Sequence, residues 1–151
     1  MTPTLDHIAD LAVQVGPPVT VGKTAEGLRR VIPILGGTIA GPRLNGIILA
    51  AGADYQVIRD DGHTTLDARY VIQLDDGSMV YVVNTGVRFG PPDVMALIRR
   101  GEAVDPAKVY FRTTPRFETE APAYQWMTRP LFLASAERHP DCVRIKVFQV
   151  G

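Results

Sequence analysis

Residues 55–85 read YQVIRDDGHTTLDARYVIQLDDGSMVYVVNT and contain two turn signals, Asp60-Asp61-Gly62 and Asp75-Asp76-Gly77. An Asp-Gly pair favours the positive φ angle that a tight hairpin turn requires. The flanking segments are rich in β-branched and aromatic residues, which is typical of strands. We therefore predict an antiparallel meander of three strands, Tyr55–Ile58, Thr64–Leu74 and Ser78–Thr85.

Turn signals recur along the rest of the chain at intervals of about 8 to 12 residues, the spacing of a barrel or sandwich. Bends between strands are predicted at Gly16-Pro17-Pro18, Gly36-Gly37, Gly41-Pro42 and Asn45-Gly46. The further predicted strands are Ala9–Val15, Arg29–Ile34, Asn45–Ala50, Val109–Thr119, Leu131–Glu137 and Cys142–Val150. The last of them alternates apolar and charged residues, which indicates a half-buried strand.

Residues 91–100 have the only features that favour a helix. Pro92 suits the first turn, Asp93 complements the positive end of the helix dipole, and Gly101 can adopt the left-handed conformation that ends a helix. Many antiparallel strands with one short helix predict a mainly β fold. We therefore expect residues 1–151 to form a single antiparallel β-barrel domain.

The charge balance narrows the class of partner. Sixteen basic and sixteen acidic side chains give a net charge of zero, which argues against nucleic acid because phosphate binding needs a surplus of Lys and Arg. Zero net charge also leaves little repulsion between copies of the chain, so we expect a homo-oligomer.

Two features predict the compartment. Cys142 is the only cysteine, so no intrachain disulfide can form, which fits a reducing compartment. Residues 1–11 lack the pattern of a signal peptide, and no apolar run reaches the roughly 20 residues of a membrane helix. We expect a cytoplasmic protein without membrane partners.

The motifs of common cofactors and nucleophiles are absent. His7, His63 and His139 are widely separated, without the spacing of paired metal ligands. No glycine-rich phosphate loop and no nucleophile elbow occurs. We therefore expect no metal and no cofactor.

Asp67 and Arg69 alternate with apolar residues in the predicted strand Thr64–Leu74. If their face is exposed, they form a surface pair worth less than about 1 kcal/mol. If it lines the barrel interior, Arg69 can bind a carboxylate or enolate and Asp67 can orient it. Both alternatives remain open at the level of sequence.

Asp54 and Gln56 lie two residues apart, so they share one face of any strand. A turn-capping role for Asp54 is the alternative to a role in a binding site. Asn84 follows an apolar segment, where a buried amide must be hydrogen-bonded or cost about 1–3 kcal/mol. Its partner is either the backbone or a ligand.

Residues 109–129 contain the densest group of aromatic and charged side chains: Tyr110, Arg112, Phe117, Glu118, Tyr124, Trp126 and Arg129. Aromatic and Arg side chains together suit a planar ligand that carries a carbonyl or negative charge. A loop that caps the core, or an oligomer interface, is the alternative interpretation.

Short motifs occur in order along most of the chain: Gly36-Gly37, Gly41-Pro42, Gly52-Ala53-Asp54-Tyr55-Gln56, Leu66-Asp67-Ala68-Arg69-Tyr70, Asn84-Thr85-Gly86-Val87-Arg88, Tyr110-Phe111-Arg112-Thr113 and Tyr124-Gln125-Trp126. In these motifs the chain resembles the domain of unknown function 3237 family. The resemblance implies a compact β-barrel of the calycin or allene oxide cyclase-like type. It also implies an enzyme, because a few members are associated with bacterial breakdown of lignin-derived aromatics as cofactor-free decarboxylases.

Together these observations favour a cofactor-independent lyase or isomerase acting on a small aromatic or unsaturated carboxylic acid, with decarboxylation as the preferred reaction. Arg69 or Arg112 is predicted to hold the carboxylate, and Asp54 or Tyr124 to exchange protons. The predicted substrate contacts are Gln56, Asp67, Asn84, Tyr110, Phe117, Glu118 and Trp126. The alternatives are a non-catalytic binding barrel with the same pocket and a structural oligomeric subunit.

Overall fold

The structure is a computed structural model that describes all 151 residues. Its strands are β1 (Leu5–Val15), β2 (Val19–Thr24), β3 (Gly27–Ala40), β4 (Gly46–Ile48), β5 (Ala53–Ile58), β6 (Thr64–Leu74), β7 (Met79–Phe89), β8 (Tyr110–Glu118), β9 (Phe132–Arg138) and β10 (Cys142–Val150). One α-helix, α1 (Pro92–Arg99), follows β7, and two 3₁₀ helices lie at Pro106–Lys108 and Pro122–Met127. None of the helices has the length and apolar character needed to cross a bilayer.

The strands close into an antiparallel barrel. Closure occurs because β1 pairs with β10 on one side and with the second half of β3 on the other. β4 and β5 follow each other between β3 and β6 and so share one position, which makes eight positions in the wall. β2 pairs only with the first half of β3. The predicted antiparallel β-barrel with one short helix is confirmed.

Gly36 and Gly37 lie inside β3, so the prediction that they form a bend between strands is wrong. Their φ angles are 140° and 146°, a region that glycine adopts readily. A Cβ atom on Gly37 would lie 2.0 Å from the carbonyl oxygen of Ala12. The pairing register between β1 and β3 also shifts between Gln14 and Val15. The two glycines therefore let β3 bend and approach β1, which closes the barrel.

Other strands begin or end at residues different from those predicted, because the pairing partner decides how far a strand continues. The meander turns at Asp60-Asp61-Gly62 and Asp75-Asp76-Gly77 are confirmed. β7 continues to Phe89 because β8 pairs with it along that length. β2 was not predicted; it is almost fully exposed, and none of its residues is buried. α1 matches the predicted helix to within one residue at each end, and Gly101 has the expected positive φ of 79°.

The barrel interior has two chemically distinct ends. The end towards the β6–β7 turn is filled by fully buried apolar side chains, among them Ile8, Leu44, Ile72, Val80, Val82 and Val147. The opposite end is covered by α1, which buries Val94, Met95 and Ile98. A hydrogen bond of 3.2 Å from Nη1 of Arg30 to the carbonyl oxygen of Arg99 joins α1 to the wall. Polar groups face the interior at this second end.

Candidate functional site

A cavity of about 50 Å³ lies inside the barrel at the polar end. Its apolar lining comes mainly from β1, β3, β6, β8 and β10. Its polar lining consists of Asp54, Gln56, Tyr70, Asn84, Arg88, Thr113 and Arg138. The cavity, called here the lumen cavity, is therefore an apolar chamber with polar groups concentrated on the strands β5 to β9.

Strand alternation and register bring these polar groups together. Asp54 pairs with Ala68 across β5 and β6, and Ala68 pairs with Asn84 across β6 and β7. Successive side chains of a strand point to opposite faces, so the three residues form one row on the inner wall. The small side chain of Ala68 leaves open space between the carboxyl of Asp54 and the amide of Asn84.

Gly86 belongs to the next row along the inner wall. It lies between Leu66 on β6 and Thr113 on β8. A Cβ atom at this position would lie 2.3 Å from the carbonyl oxygen of Arg112 and 2.6 Å from Cγ2 of Thr113. The absence of a side chain therefore lets β7 and β8 approach at the level of the cavity.

Several buried polar atoms of the lumen cavity lack hydrogen-bond partners. Gln56 donates a hydrogen bond of 2.7 Å from Nε2 to Oδ2 of Asp54. Six buried side-chain atoms in the protein have no partner, and five belong to cavity residues: Oδ1 of Asp54, Oε1 of Gln56, Oδ1 of Asn84, Nε of Arg88 and Oγ1 of Thr113. Each such atom typically costs about 1–3 kcal/mol unless a ligand or water satisfies it.

The charge at this end of the barrel is uneven. Arg88 is only 4 % exposed and Arg30 is 9 % exposed, and Arg138 is partly buried. Asp54 is the one acidic residue of the cavity lining. The close ion pairs of the protein all lie elsewhere and include none of these four residues. The lumen cavity is therefore a site of excess positive charge.

Burial shifts the pKa values of Asp54 and Arg88. It raises the pKa of the Asp54 carboxyl, while the hydrogen bond from Gln56 and the charge of Arg88 have smaller opposite effects. Burial also lowers the pKa of Arg88 to about 10, against the smaller upward effect of Asp54. At neutral pH Arg88 remains a cation. Protonation of the Asp54 carboxyl costs less free energy than protonation of an exposed carboxyl, because burial disfavours the charged form.

The structure brings three of the residues predicted from sequence into the lumen cavity: Asp54, Gln56 and Asn84. It adds Tyr70, Arg88, Thr113 and Arg138, which were not among the predicted site residues. One signal pointed to Arg88, since it lies four residues after Asn84 and a continuous strand places both on the same face. The predicted end of that strand at Thr85 hid this relation.

Asp67 and Arg69 lie on the outer wall, which corrects the alternative that they line the interior. Arg69 donates from Nε and Nη2 to the two carboxylate oxygens of Asp67, at 3.2 and 3.3 Å. The side chains are 40 % exposed for Asp67 and 51 % for Arg69. Leu66, Ala68 and Tyr70 occupy the inner face because the larger apolar surface packs inward.

Tyr110, Arg112 and Glu118 are likewise exposed on the outer face of β8. Tyr110 stacks on Phe89 with ring centroids 4.7 Å apart, and the guanidinium of Arg112 lies 5.4 Å from the Tyr110 ring. Arg112 also donates to the carbonyl oxygen of Phe111 at 2.9 Å. None of the three reaches the lumen cavity, because odd and even positions of β8 face opposite sides.

Phe117, Tyr124 and Trp126 lie away from the cavity as well. Phe117 is buried and meets Phe132 edge-on, with ring centroids 5.1 Å apart. Tyr124 and Trp126 lie in the second 3₁₀ helix and are partly buried against the apolar core. The guanidinium of Arg43 covers the Trp126 ring at 3.6 Å. These aromatic residues stabilise the apolar end, so the core-capping interpretation describes their position.

The donor set offers no metal centre: no group of three or more His, Cys, Asp or Glu side chains is arranged to hold a metal ion. The polar groups of the lumen cavity are instead one carboxyl, two amides, one phenol, one hydroxyl and guanidinium groups. This set is suited to binding an organic anion and to moving a proton.

The fold and the cavity define a small closed antiparallel β-barrel protein with a polar pocket in its interior. Residues 3–150 match the family described as protein of unknown function DUF3237, and the chain belongs to this family. A UPF0311 protein of Rhodopseudomonas palustris is 47 % identical over 152 residues, which cover 99 % of each chain. The resemblance deduced from the sequence motifs is thereby confirmed.

Solved structures share the barrel. A Rhodopseudomonas palustris protein of unknown function has a TM-score of 0.95 at 44 % identity, covering 100 % of this chain and 99 % of its own. A β-barrel-like protein of Acinetobacter baumannii has a TM-score of 0.89 at 34 % identity, covering 100 % and 98 %. An enzyme from Penicillium herquei has a TM-score of 0.74 at 19 % identity, covering 100 % and 96 %. This last likeness shows that the fold occurs in an enzyme.

Proposed function

We propose that this protein is a cofactor-independent isomerase or lyase that acts on a small unsaturated carboxylic acid in the lumen cavity. Arg88 binds the carboxylate, and Asp54 transfers the proton. The observation that carries this proposal is the group of five unpartnered buried polar atoms around one cavity. A stable barrel retains buried polar atoms without partners where a ligand binds them or a reaction requires them.

The positive charge of the lumen cavity favours an anionic ligand. Arg88 is buried without an ion pair. Burial has the largest effect on its pKa and lowers it, while the charge of Asp54 opposes this shift. The nearby charges of Arg138 and Arg30 lower the pKa of Arg88 further. A carboxylate accepts two parallel hydrogen bonds from one guanidinium, which satisfies the unpartnered donor and neutralises the cation. Asn84 and Thr113 offer further polar contacts on the same wall.

The cavity volume favours an unsaturated acid over an aromatic acid. Benzene binds in an apolar cavity of about 150 Å³, whereas the lumen cavity measures about 50 Å³. An aromatic ring therefore requires the walls to move, while a short aliphatic chain needs a smaller adjustment. Ala68, which lies between Asp54 and Asn84, provides open space on the inner face of β6.

The proposed reaction moves a double bond by a proton transfer. Ionised Asp54 removes a proton from the α carbon of a β,γ-unsaturated acid, and the electron pair of the C–H bond delocalises onto the carboxylate oxygens. Arg88 stabilises this enediolate through its charge. Protonated Asp54 then donates the proton to the γ carbon, which gives the α,β-unsaturated isomer and restores the ionised carboxylate. No further reactant is consumed.

Decarboxylation of the same class of acid receives less support from this geometry. Loss of CO₂ breaks the C–C bond, leaves its electron pair and negative charge on the α carbon and turns the carboxylate group into neutral CO₂, so an Arg88 ion pair binds the ground state more strongly than the transition state. An isomerase retains the carboxylate throughout, and the same ion pair strengthens as charge accumulates on its oxygens. The Penicillium herquei enzyme supports catalysis by a barrel of this fold and does not distinguish these reactions.

The test is proton exchange in D₂O, followed by NMR, with 3-butenoate and 3-pentenoate as substrates and the 2-enoates as products. The parent protein is expected to introduce deuterium at the α or γ carbon and to shift the double bond. Asp54→Asn is expected to slow this reaction by about 10²- to 10⁴-fold, the usual contribution of a general acid–base group. Asp67→Asn, on the outer wall, serves as the matched control and is expected to retain the parent rate within twofold.

Two results would contradict the proposal. Exchange at the parent rate in Asp54→Asn would remove the proton-transfer role of this residue. Binding of the acids without exchange or CO₂ release would leave the non-catalytic binding barrel as the function.

A further inference from the structure

A second, larger cavity lies at the mouth of the barrel. Its volume is about 300 Å³, and it is bounded by the β1–β2 connection, the end of α1 and the β9–β10 turn. It shares Val15 and Arg138 with the lumen cavity, so the two cavities adjoin. We call the outer cavity the vestibule.

The vestibule contains four arginines, Arg30, Arg99, Arg100 and Arg138, and one acidic residue, Asp141. Arg100 is already paired with Glu102 at 2.8 Å. The other three arginines have no acidic partner within ion-pair distance. The vestibule therefore presents three guanidinium groups without a direct ion pair, of which Arg138 is partly offset by the charge of Asp141, around a space wide enough for a small acidic group.

Arg30 is held in position by a hydrogen bond to α1. Its Nη1 atom donates to the carbonyl oxygen of Arg99 at 3.2 Å, while its buried Nε atom has no partner. Burial, followed by the charge of Arg99, lowers the pKa of Arg30, and burial followed by Arg30 lowers that of Arg138. Mutually repelling cations at a half-buried site are stabilised when an anion binds between them.

We propose that the vestibule binds a second anionic group of the same ligand, so that the preferred substrates are unsaturated acids with a carboxylate or phosphonate at the far end. This assignment rests on the proposed function, because Arg88 in the lumen cavity holds the first carboxylate. Arg138 lines both cavities and lies where the chain of such a ligand passes from one to the other. Arg30 and Arg99 bind the outer group.

The experiment compares matched pairs of acids by titration calorimetry at constant ionic strength. The pairs are 2-pentenoate with glutaconate and sorbate with muconate, in which a terminal methyl group is replaced by a carboxylate. 4-Phosphonocrotonate tests a phosphonate in the same position. At least one dianion is expected to bind the parent about 10- to 150-fold more tightly than its monoanion, the value of one charge-assisted hydrogen bond.

Variants then assign that advantage to the vestibule. Arg30→Met is expected to remove the dianion advantage and to leave monoanion affinity within twofold. Arg30→Lys keeps the charge and is expected to restore part of the advantage, which separates a ligand role from a structural one. Arg116→Met, at an exposed position of β8, is the matched control and is expected to change neither affinity. Thermal melts verify that each variant folds.

The possible failures of the two proposals are distinguishable. Equal binding of monoanions and dianions by the parent, or a dianion advantage that persists in Arg30→Met, would overturn the vestibule assignment alone. Failure of the parent to bind any monoanion, or unchanged monoanion affinity in Arg88→Met, would overturn the lumen site proposed for the first carboxylate. The relative affinity for carboxylate and phosphonate identifies the outer group.

Discussion

The inner and outer walls of the barrel contain similar polar residues in opposite states. On the outer wall, Arg69 and Asp67 form two hydrogen bonds in contact with solvent. On the inner wall, Arg88 is buried without an ion pair, and Asp54 retains a buried oxygen without a partner. The outer pair is self-sufficient, whereas the inner groups are incomplete in the absence of a ligand.

This difference indicates which of the two walls has a role in binding or catalysis. An exposed ion pair contributes less than about 1 kcal/mol and needs no explanation beyond solubility. Buried, unpartnered charges lower stability, and they persist where binding or catalysis requires them. The inner wall is therefore the region in which substitutions are expected to trade stability against function.

The largest contrast is expected between the two arginines. Arg88→Met removes a buried, charge-assisted contact and is expected to weaken binding of an unsaturated acid by about 10- to 150-fold. Arg69→Met breaks only the exposed pair and is expected to change affinity by less than twofold and stability by less than about 1 kcal/mol. Titration of both variants with the same acid measures the contrast. Equal effects would remove the distinction between the two walls.

A second contrast concerns Asp54 and Asp67. Burial raises the folded-state pKa of Asp54 above the unfolded value of about 3.9. Between these two pKa values the folded state binds more protons, so the free energy of unfolding falls as pH rises. Asp54→Asn cannot ionise, so its stability relative to the parent is expected to increase as pH rises through this interval.

Asp67→Asn is expected to have the opposite sign at neutral pH, with a loss of less than about 1 kcal/mol because it breaks the pair with Arg69. Denaturant unfolding of both variants between about pH 4 and pH 8, the range in which a carboxyl group with a raised pKa titrates, provides the measurement. A stability gain of Asp54→Asn that shrinks as pH rises would contradict the burial argument.

The smallest contrast compares two buried threonines. The hydroxyl of Thr64 donates to the carbonyl oxygen of Gly62 at 3.1 Å, whereas the hydroxyl of Thr113 has no partner. Thr64→Val is expected to lower the free energy of unfolding by about 1 kcal/mol, and Thr113→Val to leave it unchanged or raise it. Denaturant melts of the two isosteric variants measure the difference. Equal losses would show that the Thr113 hydroxyl is satisfied in solution.

The sequence predicted the parts of the fold that depend on neighbouring residues. The Asp-Gly turns, the alternation of β10 and the ends of α1 follow from backbone preferences within a few positions. Closure through β1 and β3 joins residues far apart in the chain, and no local pattern encodes that pairing. Gly36 and Gly37 were therefore interpreted as a bend between strands, although they lie inside β3 and permit its close approach to β1.

The candidate site could likewise be predicted only in part from the sequence. Asp54, Gln56 and Asn84 were recognisable from sequence, because polar residues on apolar strands require a partner. Arg69 and Arg112 had the right chemistry but the wrong face, while Arg88 was overlooked beyond the predicted end of its strand.

The sequence by itself determined the strand segments, their turns and a residue composition suited to a polar pocket. Only the tertiary structure decided which face of each strand points inward, because that choice depends on the packing of the whole barrel. A shift of one residue exchanges the two faces of a strand, so mixed strands such as β6 and β8 are ambiguous when considered alone. Closure buries the side with the larger apolar surface, and the polar residues on that side become the lumen cavity.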